Sequence, residues 1–154
     1  MPRETLNPPS LYASTKFGFS HATRTSSRTV LHLAGQVAWD SEYRLVGHGD
    51  IRAQAAQVLA NLKQVLAAGG ARPADVVRMR TYLVNHTADD LKAIGRLLVD
   101  FYEGAEPAAN TVIGVARLAM PEFLCEIEVT AAVDSSGRSV GSRVRDGAEG
   151  GKLR

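Results

Sequence analysis

Cysteine is almost missing from this chain of 154 residues: Cys125 stands alone. One thiol excludes an internal disulfide framework and a cysteine-based zinc site. The four histidines, His21, His32, His48 and His86, show no His-x-x-x-His spacing, so a helical zinc site is not expected and no metal or cofactor is predicted. No apolar run approaches the ~18–20 residues that span a bilayer. The opening Met-Pro-Arg-Glu has no apolar core of the kind that marks a secretory signal. These absences predict a soluble, cytoplasmic protein without a membrane partner. Aromatics are also few, nine in all, so any aromatic wall around a ligand draws on a short list.

Net charge is small and unevenly placed. The formal balance is +2. Residues 134–154 hold five basic and three acidic side chains, which leaves 13 of each in residues 1–133. The basic pI of about 8.9 therefore belongs to the tail. A folded nucleic-acid-binding face leaves a basic footprint, and the body has none, so no nucleic-acid partner is expected.

The tail itself contains five Gly, four Ser and no aromatic. It cannot bury enough surface to offset its ordering entropy, and residues 134–154 are expected to be disordered. Pro2, Pro8 and Pro9 mark residues 1–10 as a flexible lead-in. One folded domain remains, residues 11–133, a length suited to a single core.

Two helices stand out. Asp50 is a candidate N-cap, followed by Ile51, Ala55, Val58, Leu62 and Val65 as one apolar stripe. Gly69-Gly70 ends that helix and Pro73 prevents its return. The second starts near Thr87, with Asp90 three residues on in a capping-box arrangement. Leu91, Ile94, Leu98 and Phe101 mark its apolar side, and Gly104 closes it. Residues 30–36, 76–84, 111–115 and 124–133 are β-rich. Val77, Met79, Thr81 and Leu83 alternate with Arg78, Arg80 and Tyr82, which gives one dry and one wetter face. A first strand near 17–24 and a short piece near 43–46 complete the set. The order β-β-(β)-α-β-α-β-β predicts an α+β layer sandwich with both helices on one face of a mixed sheet. The other face is left uncovered and apolar enough to need a partner, and self-association is the economical solution.

Four segments, in order and at matching spacing, resemble one known family. LAGQVAWD (33–40), the helix DIRAQAAQVLANLKQVLAAGGA (50–71), ADVVRMRTYLVN (74–85) and VARL with EIEVTAAV (within 115–133) are similar to the Rid proteins, the reactive intermediate deaminases also called the YjgF family. The resemblance covers about residues 14–133. It implies a chorismate mutase-like fold and a homotrimer whose sheets face a central barrel, with clefts between subunits. It also implies hydrolysis of enamines and imines to a keto acid and ammonia.

The departures from the family pattern are chemical. The family motif Pro-Ala-Arg-Ser reads Ala108-Ala109-Asn110-Thr111 here, so Asn110 stands where an Arg holds the substrate carboxylate. An amide hydrogen-bonds but carries no charge, and loss of a charge-assisted contact removes roughly 1.5–3 kcal/mol of binding. Gly-Pro-Tyr-Ser becomes Gly18-Phe19-Ser20, with Phe19 at the Tyr position. A family Asn on the second helix aligns with Gly95. What persists is Gly35, whose backbone can approach a ligand closely, and Glu126, which in the family orients the attacking water.

The candidate site is therefore Glu126 as the catalytic acid/base, with Asn110, Phe19, Gly35 and Trp39 as substrate contacts. Phe19 and Trp39 could wall a planar substrate. Each residue also has a plain reading. Glu126 and Glu128 share a strand face and could both pair with Arg78, Arg80 or Arg117. Asn110 could be an Asx-turn residue, and Phe19 and Trp39 could simply pack. His21 and His86 lie near strand ends, where a lone His is usually simply solvated. Cys125 should face the helix layer as a small buried hydrophobe. Arg78 or Arg80 could replace the missing anion anchor.

Three functions compete on this basis. The first is hydrolytic deamination of an imine other than 2-aminoacrylate. The second is a non-catalytic small-molecule-binding or regulatory module on the same fold. The third, a ribonuclease, finds no basic-aromatic groove in the body.

Overall fold

The computed structural model describes residues 3–26 and 29–133. The elements run β1 (Arg3–Leu6), β2 (Ala22–Thr25), β3 (Thr29–Gln36), α1 (Ile51–Ala68), β4 (Val76–Val84), α2 (Ala88–Phe101), β5 (Ala109–Val115) and β6 (Cys125–Val133). The expectation for 134–154 lies outside the described residues.

Helix α1 begins where Asp50 accepts hydrogen bonds from the Arg52 and Ala53 amides at 2.9 and 3.1 Å. This satisfies two of the orphan donors of the first turn. It ends as Gly70 takes φ +72° and the Ala71 amide returns to the Leu66 carbonyl at 2.8 Å. Its buried side is Ile51, Ala55, Val58, Leu59, Leu62 and Leu66. Val65, expected on that side, is 40% exposed, because the stripe drifts one position to Leu66. Helix α2 has the expected capping box: Thr87 Oγ1 accepts from the Asp90 amide, and Asp90 accepts from the Thr87 amide. Leu91 lies one turn too early to reach the core and is 42% exposed. Arg52 Nε meets Asp90 Oδ1 at 2.8 Å and ties the two helix starts together.

The main sheet has the order β3-β6-β4-β5. Only β4 and β5 are parallel, joined through α2 as a parallel pair requires. The alternation is clean. Cys125, Ile127, Val129 and Ala131 of β6, with Met79 and Leu83 of β4, enter one core with Val58, Leu62, Leu66, Ile94, Leu98 and Phe101. Each fully buried Leu or Ile there contributes roughly 1.5–3 kcal/mol of transfer free energy. Both helices thus cover one sheet face, as the pattern predicts. Arg78, Arg80, Tyr82, Glu126, Glu128 and Thr130 occupy the other.

The N-terminal region differs from the sequence reading. Residues 1–10, taken as a flexible lead-in, contain β1, which pairs antiparallel with β2 in a separate two-stranded ribbon. A 3-10 turn, Thr15–Phe17, precedes β2 where a longer first strand was expected. The physical reason is Arg3, a charged residue that hydrophobic periodicity cannot register. Its guanidinium is buried, donates to the carbonyls of Val76 and Glu106, and lies 5.6 Å over the Tyr102 ring. The piece near 43–46 reduces to a single bridge between Trp39 and Leu45.

Candidate functional site

Strand β6 sets the direction of the carboxylates. Cys125 points into the core, fully buried, and burial pushes its thiol up to about 12. This is the inert small hydrophobe expected, and its neighbours Glu126 and Glu128 turn to the open face. Register then separates their fates. Glu128 lies opposite Arg80, and Arg80 Nη1 donates to Glu128 Oε1 at 3.1 Å. Glu126 lies opposite Tyr82. Among the described residues it has no hydrogen-bond or ion-pair partner. Partial burial raises its pKa above the ordinary carboxylate value, and the charge of Glu128 adds to the rise.

Gly35 is the floor beneath that carboxylate. It sits where the β3–β6 register shifts between Leu33 and Gln36. A Cβ at position 35 would fall 2.0 Å from Glu126 Oε1. The sequence reading singled out Gly35 for the approach of a backbone to a ligand; what the structure shows against it is the Glu126 side chain.

The second cluster is a cavity of about 560 Å³ between the β2 segment and one end of the main sheet. Phe19, His21, Arg78, Asn110 and Thr130 are among its walls. The volume falls in the ordinary range for small-molecule sites, about 300–1,000 Å³. The β2 segment is pinned there by backbone and hydroxyl contacts. The Ser20 amide donates to the Ala108 carbonyl at 2.8 Å, and Ser20 and Thr23 hydroxyls donate to the Pro107 and Val77 carbonyls. Asn7 Oδ1 accepts from the His21 amide at 3.0 Å. The His21 ring packs edge-on against Tyr12 and Phe19, with Nε2 2.9 Å from the Tyr12 carbonyl oxygen. This turn lies against α2 at Gly95, where Phe17 O is 3.6 Å from where a Cβ would stand, an ordinary contact distance.

Asn110 belongs to β5 and is no turn residue. Its Oδ1 accepts from Thr81 Oγ1 at 3.3 Å, and its Nδ2 is buried without a partner. A donor in that condition costs roughly 1–3 kcal/mol unless a ligand takes it.

The structure therefore brings Phe19 and Asn110 together, and Gly35 with Glu126, in two separate places. Thr130 lines the cavity and Glu126 lies four residues away on the same strand, about 13 Å at strand rise. Trp39 stands apart from Phe19. It packs edge-on against Phe123 at 5.0 Å and Tyr43 at 5.6 Å, and its carbonyl accepts from Asn61 Nδ2. Within one chain no aromatic wall joins Phe19 to Trp39. Among the described residues no group of three His, Cys, Asp or Glu could hold a metal ion, and no helix is long and apolar enough to cross a membrane. Two structural residues escaped the sequence reading, Arg3 and Gln54, both polar and both buried.

Comparison with known proteins agrees with this fold. The family model described as endoribonuclease L-PSP matches residues 12–133. A 2-iminobutanoate/2-iminopropanoate deaminase of Dermatophagoides farinae is 34% identical over 88 residues, 57% of this chain and 66% of that protein. A RutC family protein of Pyrococcus horikoshii is 32% identical over 66% of this chain and 77% of its own length. Among solved structures, the Rid family protein YyfB of Yersinia pestis, of unknown function, is 56% identical. It superposes with a TM-score of 0.85 over 86% of this chain and all of that one. A YjgF/YER057c/UK114 family member from Mycobacterium tuberculosis is 26% identical, with a TM-score of 0.55 over 85% of this chain and 99% of its own. A mixed sheet backed by two helices, matched over nearly the whole described body, places the chain in the endoribonuclease L-PSP family, the Rid/YjgF proteins.

Proposed function

We propose that the chain is a hydrolytic deaminase of an enamine or imine other than 2-aminoacrylate, acting in clefts between the subunits of a homotrimer. The observation that carries this reading is the Glu126 carboxylate: raised in pKa, seated over Gly35, and without a partner among the described residues. Imine hydrolysis needs little more than such a group. A protonated C=N carbon is already electrophilic. Glu126 takes a proton from water as its oxygen bonds to that carbon, forming a carbinolamine. Glu126 returns that proton to the amine nitrogen and then takes the proton of the new hydroxyl. The C–N bond breaks as the C=O bond forms, and ammonia leaves with a ketone.

The spacing of about 13 Å along β6 from Thr130 in the cavity wall to Glu126 keeps the two clusters apart within one chain and supports a site shared between copies. One copy offers the wall of Phe19 and Asn110, with the unpaired Asn110 Nδ2 as a donor for substrate. Its neighbour offers Gly35, Glu126 and the Trp39 side. The bare sheet face supports association of copies. The name of the mite relative, a deaminase of 2-imino acids, points to the same chemistry. An Asn where the family motif has Arg argues against the smallest imino acid as substrate.

The test is ammonia release from imines generated in place by an amino acid oxidase. Acceleration over the buffer rate that disappears in Glu126→Gln is expected; a variant with the full rate removes Glu126 from the mechanism. Light scattering should return three times the mass of one 16.5 kDa chain. The second reading, a binding module without turnover, is favoured by one observation: the cavity of a single chain contains no carboxylate. Thermal stabilisation by small carboxylates with no turnover on any imine would support it.

A further inference from the structure

Strand β6 carries a second acid that the proposed chemistry does not use. Glu128 follows Glu126 on the same open face, two residues on, about 6.6 Å at strand rise. Register decides its partner. Glu128 lies opposite Arg80, and Arg80 Nη1 meets Glu128 Oε1 at 3.1 Å. The same guanidinium has the Tyr82 hydroxyl as its second partner. Glu126 lies opposite Tyr82, so Arg80 is its diagonal neighbour on β4.

The charged and titratable groups that face Glu126 are therefore few. On β6 the neighbour on its face is Glu128. On β4 Tyr82 is opposite and Arg80 diagonal. On β3 the facing position is Gly35, which carries none, and His32 lies further along, opposite Thr130. Both helices pack on the other face.

A charged carboxylate makes a neighbouring carboxyl harder to ionise, and a cation held on the first offsets that effect. Glu128 raises the pKa of Glu126 in this way, second to burial. With both side chains 39% exposed, the Arg80–Glu128 ion pair adds little to stability. Its place beside an unpaired acid gives it another use.

We infer that Arg80 and Glu128 are positioning residues for Glu126: the Glu128 charge, two residues away, strengthens Glu126 as a base, and Arg80 limits that effect by holding Glu128 in an ion pair. Together they set the pH above which Glu126 takes a proton from water. The reaction comes from the deaminase reading; the pair comes from register and contact alone.

The experiment is made in a Tyr82→Phe background, because a phenol released by Arg80 would donate to Glu126 and mask the effect. Arg80→Gln, Glu128→Gln, the two together and Arg80→Lys are compared in two assays. The first is the difference in melting temperature at pH 7 between each protein and its own Glu126→Gln derivative, which grows with the pKa of Glu126. Arg80→Gln should widen that gap. Glu128→Gln should narrow it, and so should the double variant, because Arg80 acts through Glu128. Arg80→Lys should match the background. The second assay is the acid limb of imine hydrolysis, which should move to higher pH in Arg80→Gln and to lower pH in Glu128→Gln, with KM unchanged. An ion pair with a merely structural role would move both single variants the same way. Any result in which the two do not move in opposite directions overturns the inference. If the gaps move oppositely but no imine is hydrolysed, the pair stands and the deaminase reading fails. If imines are hydrolysed and the acid limb ignores both substitutions, the deaminase reading stands and the pair fails.

Discussion

Replacing Gly35 by Ala tests the proposed chemistry with a single methyl group. The added Cβ would lie 2.0 Å from Glu126 Oε1, 2.8 Å from Cδ and 2.9 Å from Cγ. The three nearest contacts all belong to one side chain, and Gly35 has no positive φ that alanine would resist. The carboxylate therefore yields while the strand holds. To reach ordinary contact at about 3.4 Å, the oxygen must withdraw by about 1.4 Å. A misplacement of that order costs about 10²-fold in rate when a positioned group is involved. Stability should change little, since alanine restricts the unfolded chain by roughly 0.4–1 kcal/mol and offsets part of the crowding. The assay is ammonia release from an oxidase-generated imine, with circular dichroism melting on the same sample. A folded Gly35→Ala protein with the wild-type rate would refute the reasoning, because Glu126 would then not act from above Gly35. A large drop in melting temperature would show that the strand, rather than the side chain, takes the strain.

Three further predictions concern stability and pH. Because Glu126 has a raised pKa in the fold, its charge opposes folding: the stability is fully present below the ordinary carboxylate value and is lost as pH rises through the raised one. Glu126→Gln should accordingly melt higher than wild type at neutral pH, with the gap closing in acid, and wild-type imine hydrolysis should fail below the same raised pKa; a gap that widens in acid refutes the sign. Gln54, fully buried in α1, donates to the Gly47 and Glu122 carbonyls at 3.1 and 2.9 Å and accepts from the Leu124 amide at 2.8 Å. Gln54→Ala should cost about 3 kcal/mol in denaturant unfolding, at about 1 kcal/mol for each bond lost. Arg3→Ala should free β1 by unpairing two carbonyls, at a cost of about 2 kcal/mol, read as faster proteolysis ahead of residue 10; cleavage at the wild-type rate would refute the anchoring role.

Elements built on periodicity were legible in the chain. Both helices, their caps at Asp50 and Thr87 and the glycine stop at 69–70 follow from local chemistry that the backbone must satisfy wherever the segment lies. The dry and wet faces of β4 and β6 follow from a period of two. What escaped was polar and long-range. Arg3 reaches Val76 and Glu106, and Gln54 reaches Glu122 and Leu124, across separations that no window sees. A buried polar residue also carries no signature of its own, since the same letters on a surface are ordinary. Hence residues 1–10 read as a lead-in although they carry a strand.

The candidate site shows where the limit falls. Alternation puts Glu126, Glu128, Arg78 and Arg80 on one face, but it is silent about which acid meets which base. That depends on the register of β4 against β6. Sliding one strand by two residues keeps every core residue in the core, so the hydrophobic pattern is indifferent to it. The same slide could bring Arg80 opposite Glu126 and bind the free carboxylate in an ion pair, which would lower its pKa. The observed register sets Tyr82 opposite Glu126 and Arg80 opposite Glu128, with irregularities between Val76 and Arg78 and between Leu33 and Gln36 fixing the offset. The same offset puts Arg78 across from Thr130, in the cavity wall, rather than across from either glutamate. One geometric choice thus leaves an acid unpaired at one end of the open face and a cation unpaired at the other.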